Sequence, residues 1–477
     1  MADENDRICQ PAQPVLVVGG GLAGCEAAWQ LAARGIPVRL IDMKPAEMTA
    51  AHHLPTLAEL VCSNSMRAAR LENAVGLLKE EMRRLGSLII ACADATAVPA
   101  GGALAVDREL FTAAVTGVIC REPLIERVCE KLDRIPADGL TIIATGPLTD
   151  GALFENIRKT LSIETLHFFD AAAPIVEADS IDMNAAFRQS RYGRGGDDYI
   201  NCPMDRETYE HFWHELVGAE RAQVHDFDQE TVFEGCMPIE TMARRGIETI
   251  RYGPMKPVGL IDPHTGREPY ACVQLRQDNR AASLYNLVGF QTRLTIDEQK
   301  RVFRLIPGLQ DAVFVRFGVM HRNTYLPSPQ VLEPDYSVCS RSDLYFAGQM
   351  TGVEGYVESA SSGLLAGWQA ALQARGLDKE TRLKALPTAR TVIGSLARYI
   401  ADRQIRHFQP MNASFGLVAS PVGRFKRKEL RIQALISQSL QEISQLEQSN
   451  PELEQVRLQL FHKTSVIRMA HNPLNDL

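Results

Sequence analysis

Val15-Leu16-Val17-Val18-Gly19-Gly20-Gly21-Leu22-Ala23-Gly24-Cys25-Glu26-Ala27-Ala28-Trp29 passes from a short apolar run through clustered glycines into an alanine-rich pattern that ends near Gly35. A buried parallel strand would deliver the backbone to a tight turn at Gly19. Gly21 would let the main chain approach a pyrophosphate, and Gly24 would let the next helix pack closely on the sheet. Gly20, Leu22 and Ala23 complete a cradle at the helix N-terminus, where phosphate charge is favoured. A second apolar run, Pro37-Val38-Arg39-Leu40-Ile41, ends on Asp42, placed to accept hydrogen bonds from a ribose hydroxyl pair. Strand, glycines, helix, strand and terminal acid in that order within about 30 residues predict a βαβ dinucleotide-binding unit, not an ordinary glycine-rich turn.

Two later stretches repeat the form. Leu140-Thr141-Ile142-Ile143-Ala144-Thr145-Gly146-Pro147 is an apolar strand ending on glycine, and so is Leu344-Tyr345-Phe346-Ala347-Gly348. The second is followed by Gly352, Gly355 and a small-residue helix over about Glu358 to Ala371. Such strand ends predict that the chain returns to the same sheet beside the ligand, with Gly146, Gly348, Gly352 and Gly355 as contacts. A nicotinamide dehydrogenase usually completes its dinucleotide site within one contiguous domain. The late returns therefore favour FAD, and a helix N-terminus near Gly355 would stabilise negative charge on a reduced flavin. No second GxGxxG follows an apolar strand, so a dedicated NADPH domain like that of the disulfide reductases is not expected.

A chain of 477 residues exceeds what one core ordinarily supports. The expected fold class is α/β: an FAD-binding Rossmann-like domain of the two-dinucleotide-fold flavoprotein type, with an inserted α+β domain and a helical C-terminal region. The expected boundaries are 1–169 and 308–374 for the FAD-binding domain, 170–307 for the insertion and 375–477 for the helical region. Short strands, turns and aromatics such as Tyr192, Trp213, Tyr252 and Tyr270 mark the insertion. Glu72 to Leu85 reads as an amphipathic helix, with Ala74, Leu77, Leu78 and Met82 inward and Lys79, Glu80, Arg83 and Arg84 largely on the other face. Val98 to Arg108 reads as a turn leading into an apolar strand or a helix start. Met43 to Ser65 follows a dinucleotide-fold strand and is placed over the ligand.

Composition narrows the class. An apolar content of 45% with 23% charged residues is that of a soluble globular protein. A net charge of −7 gives no global attraction to nucleic acid, so any RNA contact needs a local basic patch. Arg424 to Arg431 is the densest such tract, as a solvated surface or as a phosphate contact. The acidic N-terminus lacks an apolar signal region, and Asp94, Pro99, Gly101 and Gly102 interrupt the apolar window Leu88 to Val106. A cytoplasmic protein without a membrane span is expected. The ten cysteines form no CxxC pair, which argues against a zinc ribbon or a redox dithiol. Glu210, His211, His214 and Glu215 share a helical stretch but lack an HExxH pattern, so a solvated face is expected and no metal.

Two cysteines are candidates for chemistry. Cys236 precedes Met237-Pro238-Ile239-Glu240 and a helix expected from Pro238 to Arg245, stopped at Gly246. There the helix dipole would favour the nucleophilic thiolate, the alternative being a buried inert thiol. Cys62 follows an apolar turn and precedes Ser63-Asn64-Ser65, a helix-capping composition, and is either core or reactive.

Several stretches together resemble a known family. They are Gly19 to Trp29, Ala58-Glu59-Leu60-Val61-Cys62-Ser63-Asn64-Ser65, Asn73 to Met82, Val98 to Arg108 and Glu234-Gly235-Cys236-Met237-Pro238-Ile239-Glu240. Gly253 to Leu260, Gly318 to Tyr325 and Gly352-Val353-Glu354-Gly355-Tyr356 continue the series. Over about Val15 to Gly416 the chain resembles the folate- and FAD-dependent tRNA uracil-5-methyltransferases, the TrmFO family, which are related to the larger GidA/MnmG tRNA-modification flavoproteins. The resemblance implies a transferase of tRNA processing: methylenetetrahydrofolate supplies one carbon, FAD reduced by NAD(P)H supplies electrons, and the T-loop uridine at tRNA position 54 becomes 5-methyluridine. It implies that Cys236 adds to uracil C6 and that Cys62 removes the C5 proton or assists the nucleophile. Thiolate chemistry agrees, because uracil C5 is not nucleophilic until C6 carries a group that both adds and leaves readily. The same chemistry on ribosomal RNA, or a flavin oxidoreductase acting on a small molecule, stays open at this stage, as does the oligomeric state.

Overall fold

The first strand–turn–helix unit fixes the position of everything else. The computed structural model describes residues 13–49, 51–163, 166–171, 173–193, 196–222, 237–318, 320–423 and 425–470. Val15–Val18 and Val38–Asp42 pair in parallel around the helix Leu22–Ala32. The full sheet runs Ser337–Val338, Arg341–Phe346, Thr141–Ile143, Val15–Val18, Val38–Asp42, Ile125–Cys129. It is parallel except at the Ser337–Val338 edge. Of the two late strand returns expected from the sequence, Thr141–Ile143 lies beside the first strand and Arg341–Phe346 lies beside Thr141–Ile143, all parallel, so that their carboxyl ends come together.

Small residues explain why so distant a helix returns here. Every residue of Leu22–Ala32 is buried, and the helix Tyr356–Ala374 lies against it. A Cβ at Gly363 would come 2.2 Å from the Ala23 carbonyl oxygen, and one at Gly367 would come 2.6 Å from that of Ala27. Backbone meets backbone, so the two helices approach more closely than side chains would allow.

A second sheet, antiparallel throughout, runs Phe187–Arg188, Tyr199–Met204, Ala271–Gln277, Leu284–Leu287, Ile175–Glu177, Phe314–Arg316. It packs its own core, including Val176, Ile200, Tyr209, Phe212, Leu275, Phe290 and Phe303. The ribbon of Leu166–Ala171 and Met320–Tyr325 joins it to the first sheet's unit. Its edge strand Phe314–Arg316 lies past residue 307, where the sequence reading ended the insertion. That segment pairs with Ile175–Glu177 at the far edge of the sheet, a partner no local pattern names.

Of two local expectations, the turn into a strand and a helix start over Val98 to Arg108 is seen, and the outward placing of Lys79 changes. The Val98 to Arg108 stretch is a hairpin, Ala97–Val98 with Ala103–Val106, followed by the helix Arg108–Cys120 whose N-cap Asp107 accepts from the Leu110 N–H at 3.0 Å. Lys79, read as lying on a polar face, is fully buried in the helix Ala74–Arg84. The strand Ser65–Ala68 covers that side, and the ammonium donates to the Met66 carbonyl at 2.8 Å and the Ala68 carbonyl at 2.7 Å. Burial pulls this lysine down to about 7.

The C-terminal helices Val392–Tyr399, Lys428–Ser449 and Glu452–Ala470 join the first core through Leu396, Leu435, Ile443, Leu453 and Val456. Glu81 ties them in. Its buried carboxylate accepts from the Val392 N–H at 2.8 Å, the Ile393 N–H at 2.7 Å and the Ser439 hydroxyl at 2.5 Å. Burial outweighs these donors and raises the group from 4.5 to about 7. A carboxyl raised on folding stabilises fully below its unfolded value, and the contribution is lost as pH rises through the folded one. Between pH 4.5 and 7 the protein is therefore expected to lose on the order of 3 kcal/mol of unfolding free energy that Glu81→Gln does not lose. Denaturant melts of both proteins across that range check this.

Candidate functional site

The glycines of the first turn do what their spacing requires. Gly19 has φ of +103°, and a Cβ there would lie 2.5 Å from the Ala144 carbonyl oxygen on the neighbouring strand. At Gly24 a Cβ would lie 1.8 Å from the Gly19 carbonyl oxygen, so only glycine lets the helix start this close to the turn. Nothing lies within 4 Å of a Cβ built at Gly21, which faces open space. That space is a cavity of about 1080 Å³ at the carboxyl ends of the parallel strands. Gly19, Gly20, Gly21, Leu22, Ala23, Asp42, Gly146, Gly348 and Gly355 all line it.

Three sequence expectations differ in detail. Asp42 already binds backbone, accepting from Gly20 N–H at 2.5 Å and Lys44 N–H at 2.8 Å, so it shapes the turn, with lone pairs left for a ribose. Gly24 lies beneath the cradle, off the cavity wall. Gly352 is also off the wall: at φ +82° its missing Cβ makes room for the Phe408 ring, which a methyl would meet at 2.4 Å. Its glycine serves packing at the turn before Gly355.

The cavity fits a flavin dinucleotide. An open glycine cradle meets the N-terminus of Leu22–Ala32 at one end, and Gly355 at φ +112° begins the helix Tyr356–Ala374 at another part of the wall. The volume is just above the range of ordinary ligand sites, roughly 300–1,000 Å³.

Cys62 is partly exposed and also lines the cavity. Its loop is held from several elements. The Tyr356 hydroxyl oxygen accepts from the Cys62 N–H at 2.7 Å and from the Ser63 N–H at 3.1 Å. Arg108 donates to the Leu60 carbonyl at 2.8 Å, and Arg316 donates to the Val61 carbonyl at 2.8 Å. Arg276 donates to the Ser63 hydroxyl at 2.7 Å and to Asn64 Oδ1 at 3.0 Å. Asn64 in turn donates to the Val106 carbonyl at 3.0 Å and the Gln277 carbonyl at 2.9 Å, joining the two sheets' units. Burial pushes the Tyr356 hydroxyl well above its ordinary range, so it stays a neutral phenol.

Cys236 lies outside the described residues. The helix that follows it does not: Ile239–Arg244 is preceded by the N-cap Pro238 and ends before Gly246 at φ +147°. Its first N–H, on Ile239, donates to the Gln291 carbonyl at 2.7 Å, and Gln291 lines the cavity with Val288 and Gly289. Glu240 secures the same helix by accepting from the Arg293 N–H at 3.0 Å and the Thr292 hydroxyl at 2.9 Å. The segment three residues past Cys236 is thus pinned to the cavity wall.

Among the described residues no group of three or more His, Cys, Asp or Glu is placed to hold a metal ion. Glu210 pairs with Arg206 at 2.7 Å and Glu215 pairs with Arg301. Arg424 lies outside the described residues, while Lys426, Arg427, Lys428 and Arg431 are exposed around the start of Lys428–Ser449. No helix of the described residues is long and apolar enough to cross a membrane. Sequence reasoning missed Arg108, Arg276, Arg316 and Tyr356. Arg108 and Tyr356 fall within stretches singled out for other reasons, whereas Arg276 and Arg316 are placed by strand pairing alone.

Comparison with known proteins agrees with this geometry. Residues 14–378 match the family model described as Glucose inhibited division protein A. The chain is 60% identical over 404 residues to the methylenetetrahydrofolate--tRNA-(uracil-5-)-methyltransferase TrmFO of Acetivibrio thermocellus, covering 85% of this chain and 92% of that one. It is 57% identical over 435 residues to the TrmFO of Pelotomaculum thermopropionicum, covering 91% and 98%. Among solved structures it is similar to GidA of Aquifex aeolicus in the form I crystal, with a TM-score of 0.67 at 17% identity, covering 93% of this chain and 77% of that one.

Proposed function

This chain belongs to the Glucose inhibited division protein A family and to its TrmFO members, and we infer that the large cavity is where its methyl transfer takes place. It is a methylenetetrahydrofolate--tRNA-(uracil-5-)-methyltransferase, a flavoprotein of tRNA processing with FAD as cofactor and methylenetetrahydrofolate as carbon donor. The observation that carries the assignment to this cavity is convergence. The glycine cradle, the Cys62 loop and the segment following Cys236 all reach one wall system.

FAD, when bound, supplies the reducing electrons, drawn from NAD(P)H, and relays the one-carbon unit. The cradle Gly19 to Ala23 would hold its phosphates, and Gly146, Gly348 and Gly355 would border the rest. The protein's own residues act on the uracil. Cys236 thiolate bonds to C6, which makes C5 nucleophilic toward the methylene carbon. Cys62 takes the C5 proton as the bond from the methylene carbon to its carrier breaks, leaving an exocyclic methylene on C5. Hydride addition then completes the methyl group, and the S–C6 bond breaks to release Cys236. The substrate base is the T-loop uridine of the tRNA T-arm, which must leave its stack to enter the cavity. The exposed cations Lys426, Arg427, Lys428 and Arg431 are the proposed phosphate contacts, and the cytoplasm is the proposed compartment. The relatives carry tRNA in their names, which favours tRNA over ribosomal RNA.

The test is nucleoside mass analysis of tRNA and ribosomal RNA from a strain lacking the protein. The expected result is loss of 5-methyluridine from the T-loop fragment alone. Unchanged T-loop nucleosides in a strain with no other such methyltransferase would contradict it.

A further inference from the structure

The Cys62 loop is gripped by three guanidiniums, of which two have no carboxylate partner among the described residues. Arg108 is paired, at 3.1 Å from Asp278. Arg276, only 7% exposed, has the neutral acceptors Ser63, Asn64 and Asn286, and Arg316 has the Val61 carbonyl. The nearby acids are engaged elsewhere. Glu59 accepts from the His53 and Leu54 N–H groups, Asp107 from the Leu110 and Arg280 N–H groups, and Glu354 from Gln349. The other titratable neighbours of Arg276 among the described residues, besides the Asp278 that Arg108 holds, are Tyr199 and Tyr356, both phenols raised by burial. Holding a guanidinium out of water without a counter-ion is costly, and a site that keeps the buried Arg276 and the half-buried Arg316 is matched to negative charge.

Resting on the reading that Cys62 takes part in the reaction, we propose that Arg276 and Arg316, both supplied by the inserted sheet, are positioning residues that hold Cys62 as a thiolate before substrate arrives. A thiolate beside fixed positive charge is the form that accepts a proton from uracil C5. Arg276 fixes the loop one and two residues after Cys62 and Arg316 the carbonyl one residue before it. Their contacts bracket Cys62 along the loop and come from strands at separate places in the same sheet, Ala271–Gln277 and Phe314–Arg316. The inserted unit therefore contributes charge to a loop it does not contain.

The experiment is iodoacetamide alkylation of the full-length, FAD-loaded protein from pH 5 to 10, read by peptide mass spectrometry, with the exposed Cys120 as internal reference. Half-maximal alkylation of Cys62 is expected below the ordinary thiol value of about 8.5. Arg276→Gln and Arg316→Gln should each move that midpoint up by about one pH unit, roughly a tenfold loss of thiolate at neutral pH, with Cys120 unchanged. Arg276→Lys, which keeps the charge, should restore most of the shift. A parent midpoint equal to that of Cys120, or glutamine variants that leave the Cys62 midpoint in place, would overturn the proposal. If Arg276→Gln does not retain FAD, Arg316→Gln and Arg276→Lys decide it. Full methyl transfer by Cys62→Ala would remove the role of Cys62 in the reaction, a separate outcome from the alkylation result.

Discussion

Replacing Cys236 with alanine is expected to lower methyl transfer to tRNA by at least about a thousandfold while FAD stays bound, the scale of loss when a covalent nucleophile is removed. The reason is electronic. Without sulfur on C6, uracil C5 has no carbanion character and cannot attack a one-carbon electrophile, however well the base is held. The anchoring of the helix that follows predicts that the loss is chemical and not structural. The helix Ile239–Arg244 is anchored by the Ile239 N–H to Gln291 and by Glu240 to Arg293 and Thr292, none of which involves the cysteine. Single-turnover rates with unmodified tRNA, alongside the flavin absorbance spectrum, check both halves. Retention of full activity would remove the nucleophile assignment, and loss of flavin together with activity would make the defect one of folding.

Gly24→Ala is expected to yield protein that purifies without FAD and has no measurable methyl transfer. The added Cβ would sit 1.8 Å from the Gly19 carbonyl oxygen and 3.0 Å from its carbon, both backbone atoms of the turn that shapes the phosphate cradle. No rotamer relieves that contact, so either the turn opens or the helix Leu22–Ala32 moves away. The helix cannot move freely, because Gly363 and Gly367 hold Tyr356–Ala374 against it at backbone distance. Overpacking of this kind costs about 1–3 kcal/mol or more, and here the strain falls on the cofactor site. Gly218→Ala, at a position with nothing within 4 Å of the new Cβ, is the matched control and should keep full flavin content. The ratio of flavin to protein absorbance measures the difference.

These two sites differ in how they were readable. Val15 to Asp42 is a local pattern whose every residue bears on a neighbour within the same unit, so turn, helix and strand follow from composition and spacing. The strand ends at Gly146 and Gly348 were legible for the same reason, and both line the cavity. Lys79 was misplaced because helical periodicity names a face without saying what covers it, and here a strand does. Gly352 looked like a ligand contact until the Phe408 ring, from 56 residues further on, filled its space. Arg276 and Arg316 carry no signal in sequence, since their reach to the Cys62 loop depends on antiparallel pairings between distant segments. Local chemistry marked the cradle, while tertiary pairing alone placed the charges around the second thiol.

If this cavity builds the methyl group of 5-methyluridine from folate carbon, a labelled carbon can be followed into the product. The most direct measurement incubates FAD-loaded protein with unmodified tRNA, NAD(P)H and methylenetetrahydrofolate labelled in its methylene carbon, followed by mass analysis of the T-loop nucleosides. The expected product is 5-methyluridine carrying the labelled carbon at the T-loop uridine. Unchanged uridine, or a 5-methyluridine without the label, would contradict it.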